Sequence, residues 1–217
     1  QRDPTWGQKM EQDPRRMILE DEALTPIPEL SSAFLSPPSG EHLMFAYFQS
    51  MLVVEYLIDN YGMDNFQQTL TDLGEGVLIN DAIARHTEDL ETLEEKFRAH
   101  VTKLAENLAP GVDWTRPPPE VVDPRDAEAV RDYAIEKPNS LWAWHTLTQH
   151  WMAQENWKEA IAAADKYIAL YPDNTHAGGG YALKARAWRA LGNKKREAET
   201  LRELANRSAE AYTAYTR

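Results

Sequence analysis

The chain has 217 residues, 42% hydrophobic and 27% charged, enough for one large domain or two small ones with buried cores. Its 35 acidic and 23 basic residues give a formal charge of −12, which repels phosphate backbones and anionic lipid and argues against nucleic-acid and membrane-surface binding. With no cysteine, disulfides, thiol catalysis and Cys-ligated zinc are excluded. The opening Gln-Arg-Asp-Pro-Thr-Trp has neither a signal-peptide pattern nor an initiator Met, and reads as the start of a mature chain or an excised fragment.

In chain order, residues 1–40 read as irregular, with one short helix near Pro28–Leu35 and a breaker at Ser36-Pro37-Pro38-Ser39-Gly40. A helix follows over Glu41–Asn60, apolar on most faces and so expected in a core. Its most apolar stretch, residues 43–61, contains Gln49, Glu55 and Asp59, which are costly in hydrocarbon, so no membrane insertion is expected. Tyr61-Gly62 ends it, with Gly as a left-handed cap. A second helix spans Met63–Leu73, with Phe66, Leu70 and Leu73 at helical spacing, and Gly74-Glu75-Gly76 stops it. Val77–Arg85 is a short helix with Ile79, Ala82 and Ile83 facing inward. The next, capped by Thr87 or Asp89, runs to about Leu108 with a stripe at Leu90, Leu93, Phe97 and Val101. Pro110, Gly111 and Pro117-Pro118-Pro119 mark a stiff linker. The expected division is a helical domain over 1–110, a linker over 111–122 and helical repeats over 123–217. Asp123-Pro124 starts the next helix, with Asp as cap and Pro at the first position, where no N–H is needed.

Pro138 and Pro172 lie 34 residues apart, as do Tyr133 and Tyr167. Trp144, Leu147, Trp151, Ala160, Ala164, Tyr167 and Pro172 stand at the spacing of the tetratricopeptide (TPR) consensus, whose period is 34 residues. The chain therefore resembles a TPR protein here. Ala164 is small where that family prefers an aromatic, and Tyr167 is large where it prefers Ala, which conserves volume. Thr148 and Glu155 replace its usual small residues. A second, more degenerate copy follows at an offset of 37, mapping Trp144 to Tyr181, Trp151 to Trp188, Glu155 to Gly192, Ala164 to Leu201 and Tyr167 to Leu204. Ala177-Gly178-Gly179-Gly180 absorbs the three extra residues, and its glycines let one helix start close against its neighbour. Residues 123–137 read as the second helix of a partial repeat, and 208–215 as a further helix or cap. The resemblance implies an all-α fold, a helical domain followed by a short TPR-type α-α superhelix. Its concave face would take a protein or peptide through Trp142, His145, Thr146, Gln149, Arg186 and Arg189. The structural alternative is a spacer docked on the N-terminal domain.

Residues 45–62, Phe-Ala-Tyr-Phe-Gln-Ser-Met-Leu-Val-Val-Glu-Tyr-Leu-Ile-Asp-Asn-Tyr-Gly, followed by Leu78–Ile83 and Leu93–Phe97, resemble the C-terminal helical half of peptidase MA-like (gluzincin-type) metallopeptidases. That family often precedes TPR units in bacterial proteins, which implies an exported, periplasmic chain. Its activity requires His-Glu-x-x-His, and none of His42, His86, His100, His145, His150 or His176 lies in that motif. No catalytic residue, metal ligand or cofactor is therefore expected. The alternatives are a C-terminal fragment of a zinc peptidase with its catalytic segment upstream, or a structural subunit of a larger assembly.

The remaining constellations have plain readings. His145 and His150 are separated by about 140° around a helix and share no face. Glu55 with Asp59, and Glu88 to Glu95, read as solvated stripes, the latter favouring a helix N-terminus. Gly178-Gly179-Gly180 lacks the strand and Gly-Lys-Ser/Thr of a phosphate loop. Lys184, Arg186, Arg189, Lys194, Lys195 and Arg196 make the last hairpin locally positive. Arg186 and Arg189 among them, on the concave side, are suited to an acidic peptide or carboxylate, or to the acidic N-terminal domain.

Overall fold

A computed structural model describes residues 9–208. Among these residues the chain is all-α, with eleven α-helices, one 3-10 turn and no strand. It divides into Gln8–Leu108 and a second unit beginning at Ala109.

The first unit contains α1 (Gln12–Leu19), a 3-10 turn (Ile27–Glu29), α2 (Ser32–Leu35), α3 (Gly40–Tyr61), α4 (Met63–Gly74), α5 (Ile79–His86) and α6 (Leu90–Glu106). The segment 1–40, expected to be irregular, contributes α1. Pro14 sits in its first turn, where a missing N–H costs no helical bond, and Met17 and Ile18 are buried. A single core joins Met17, Ile18, Phe45, Phe48, Leu52, Tyr56, Leu93, Phe97 and Val101. Each fully buried side chain of this size contributes about 1.5–3 kcal/mol. Asp89 caps α6 by accepting the Thr92 N–H at 2.9 Å. Gly62, at φ 88° and ψ 157°, ends α3 in backbone space that a side chain would oppose.

Three side chains fasten the non-helical stretch that leads from α1 into the 3-10 turn. The amide of Gln49, 1% exposed, accepts the Thr25 N–H and donates to the Thr25 carbonyl. On α6, Glu94 accepts the Ile27 N–H at 2.7 Å, and Arg98 donates to the Leu24 carbonyl at 3.0 Å. These bonds satisfy backbone groups that have no helical partner, and they allow Ile27 to enter the core. The apolar character of α3 does not mean complete burial, since Met44 is 61% and Tyr47 54% exposed. Ile79, expected inward, is also exposed, as is Leu70 of α4.

The second unit contains α7 (Ala127–Glu136), α8 (Leu141–Ala153), α9 (Trp157–Leu170), α10 (Gly180–Ala190) and α11 (Lys194–Arg207). Each helix packs on the next, and α8 also touches α10. The start of α7 differs from expectation. Asp123 turns back to accept the Arg125 N–H, while Asp126 caps the helix by accepting the N–H groups of Glu128 and Ala129. The proline-rich segment 111–122 is folded onto this unit. Asp113 bonds to the backbone of Asn139 and Leu141, Trp114 meets Tyr171 edge-on at 5.6 Å, and Pro117 and Val122 are buried. Prolines suit such a strap because they bring no N–H that needs a partner. The further helix expected over 208–215 lies outside the described residues apart from Ser208.

The sequence offsets recur as geometry. At an offset of 37, Glu155 has φ 56° and Gly192 φ 72°. Asn156 and Asn193 each donate a backbone bond of 2.9 Å to the carbonyls of Trp151 and Trp188. At an offset of 34, Lys137 and Tyr171 cap α7 and α9 through bonds to the Tyr133 and Tyr167 carbonyls. The α8–α9 and α10–α11 turns are thus the same device, built once with Glu and once with Gly. Left-handed backbone costs a side chain about 1–2 kcal/mol. Glu155→Gly should raise the unfolding free energy by about 0.5–1 kcal/mol, and Gly192→Ala should lower it by about 1 kcal/mol. Tryptophan fluorescence in urea reads both, because six of the seven tryptophans lie at or beyond position 114.

Candidate functional site

The side chains with most capacity for chemistry in the second unit gather where α8, α9 and the loop 171–180 meet. Ser140, fully buried, caps α8 by accepting the Ala143 N–H and sets the rotation of the helix. That rotation places Leu147 and Thr148 inward and leaves Gln149 exposed. His145 lies against Tyr167 of α9, with ring centroids 5.1 Å apart and planes inclined by 36°. Its Nε2 lies 3.3 Å from the Gln149 amide nitrogen, which donates to it and leaves the proton of the neutral ring on Nδ1. Tyr167, 2% exposed, accepts from the Asn174 amide at 2.7 Å, and burial pushes its hydroxyl up to about 12.

The loop fits around these groups. His176 Nδ1 accepts the Gly178 N–H at 3.0 Å. A Cβ on Gly180 would lie 2.6 Å from Ile168 Cγ1 and 3.0 Å from Tyr167 Cδ1. The large Tyr167 is therefore matched by a missing side chain at the start of α10 as well as by Ala164, which is fully buried. Burial first, and the neighbouring His176 second, push His145 below its ordinary value.

The six residues expected on a concave face fall into two groups. Trp142 is half-buried and meets Tyr133 of α7 edge-on at 5.9 Å, so it serves the α7–α8 seam. His145 is held by Tyr167, and Thr146 is half-buried. Arg189 is exposed but bound to Glu197 of α11 at 2.8 Å. Gln149 and Arg186 are exposed, and Arg186 forms no ion pair among the described residues. Half of the positive cluster on the last hairpin is internally neutralised, by Lys184 with Asp165 at 2.7 Å, Arg189 with Glu197, and Arg196 with Glu199 at 3.2 Å. His150 donates to the Pro124 carbonyl, which joins α8 to the residues ahead of α7.

In the first unit, the acidic start of α6 is more than a solvated face. Glu88 accepts from Lys96 at 2.6 Å and from the Tyr61 hydroxyl, and these bonds hold its carboxyl below the usual range. Burial and the Glu88 contact push Tyr61 upward. Burial opposes ionisation of Asp72, yet bonds from Arg85 and His86, each at 3.1 Å, hold it low. Both clusters tie helices together. Among the described residues, no three His, Cys, Asp or Glu side chains are grouped to hold a metal ion, and no helix is long and apolar enough to cross a membrane. Sequence spacing assigns Tyr167 to packing and does not connect it with Asn174 and His176. The signal was present in the extra residues of the loop, but their placement depends on the tertiary turn.

No protein-family model, curated protein or solved structure matches this chain.

The depressed His145 has a consequence for stability. A neutral ring is favoured in the folded state, so the contribution is complete above the unfolded value near 6.5 and is lost as pH falls through the lower folded value. Urea midpoints followed by tryptophan fluorescence should fall between pH 7 and pH 5 by less in His145→Gln than in the parent. An equal fall in both proteins would remove His145 from the effect.

Proposed function

We propose that this chain is a non-catalytic protein-interaction module, in which TPR-type hairpins of the second unit offer the α8–α10 side to a protein or peptide. The observation that carries this reading is the repetition of the same left-handed turn at Glu155 and Gly192, in helices that pack on their sequence neighbours while α8 touches α10. Stacks of this kind form extended faces whose outer side chains are free of packing duty. Gln149 on α8 and Arg186 on α10 meet that condition, and Arg186 favours a carboxylate-bearing ligand. Trp142, His145, Thr146 and Arg189 act mainly as the supports of that face.

A second reading is favoured by a separate observation in the first unit. Met44, Tyr47 and Val54 are exposed along one side of α3, with Leu35 of α2 85% exposed. An apolar stripe of this kind is surface that another polypeptide covers in a larger assembly. This agrees with a role as an assembly subunit or as the helical half of a peptidase-like protein.

Retention on immobilised chain separates the two readings. A partner held by the second unit should be lost by about tenfold or more in Gln149→Glu with Arg186→Glu, and kept in Tyr47→Glu with Val54→Glu. The reverse pattern would transfer the binding role to the first unit.

A further inference from the structure

A cleft of about 530 Å³ lies between the proline-rich strap and α7, and no residue of α8 or α10 lines it. Part of its wall is apolar. Pro117, Pro118 and Val121 come from the strap, and Ala129 and the ring of Tyr133 from the helix. Val121 is 68% exposed, so this surface is open to solvent. Asp132 and Glu136 line the same cleft, four residues apart on one edge of α7. Among the described residues, Asp132 has only a long contact to Arg131, at 3.8 Å. Glu136 is the last residue of the helix, where the unsatisfied carbonyls add negative potential.

The cleft already attracts a cation from its own chain. Lys137, a lining residue, holds its ammonium 5.5 Å from the centroid of the Tyr133 ring. An apolar wall, a π face and two carboxylates match a side chain with an aliphatic stem and a positive tip. We propose that this cleft is a docking site for an arginine or lysine side chain of a partner protein. The stem lies along Val121, Ala129 and Pro117, the charged end reaches Asp132 and Glu136, and Lys137 swings out of the way. The charge of −12 on the chain steers a basic partner toward it. The site has no lining residue on α8 or α10 and would persist if that assignment failed.

The test uses the 15N-labelled full chain titrated with Nα-acetyl-arginine amide and, separately, with its isosteric uncharged counterpart Nα-acetyl-citrulline amide. Arginine amide should give saturable shifts confined to the strap and α7, with citrulline amide bound about threefold or more weakly. Asp132→Asn with Glu136→Gln should weaken arginine amide by a similar factor, and both positions are exposed enough to leave the fold intact. Lys137→Ala should tighten it about twofold, because the internal competitor is gone. Equal binding of citrulline amide, shifts centred elsewhere, no saturation, or unchanged or weaker binding in Lys137→Ala would each overturn the proposal.

Discussion

A two-helix hairpin with apolar residues on both flanks can bury only the seam between its helices, and the second unit is arranged around that constraint. Its core is a series of small clusters. Val130, Ala134, Ala143 and Leu147 close the seam of α7 and α8, Ala160, Ile161 and Ala187 join α9 to α10, and Tyr181 with Leu204 joins α10 to α11. Trp151 touches the first two clusters. The first unit is built differently, with one continuous core from α1 to α6 and three side chains clamping a non-helical segment. Close approach at Gly180 is what lets the series continue past the long loop, since any side chain there would collide with Ile168.

This difference explains what could be read from the sequence. Serial packing repeats its requirements, so the aromatic, alanine and turn positions recur at offsets of 34 and 37. The Glu155–Gly192 pairing could be drawn from text alone. The segment 1–40 follows no period. α1 is short, carries Pro14 and buries only Met17 and Ile18, so its helical character depends on packing against α6. The start of α7 was misplaced because Asp123 and Asp126 both precede a plausible first turn, and only tertiary placement decides which reaches the free N–H groups. Prolines 117–119 carry the same composition in a linker as in a strap. The exposed stripe of α3 was hidden by its overall hydrophobicity, which marks the core without showing which side of the helix faces it.

The same logic sorts the candidate site. Residues that the repeat register places on the outer side of a first helix are free only where no local departure recruits them. Tyr167 is such a departure. Its size draws His145, Asn174 and the glycine loop into one packed group, and this removes an imidazole that spacing alone assigns to a ligand. Glu197 does the same to Arg189. What remains on the surface is sparse and polar on α8 and α10, whereas the strap and α7 form an open cleft of mixed apolar and charged lining in a stretch that the sequence presents as a linker.

The account depends most on the second unit being a stack stabilised neighbour by neighbour. Native-state hydrogen exchange on the full chain measures this directly. Opening free energies should differ between helices of the unit, highest in α8, α9 and α10, which have packed neighbours on both sides, and lower in α7 and α11. A single opening free energy shared by all amides from α7 to α11 would contradict the stack and indicate one indivisible core.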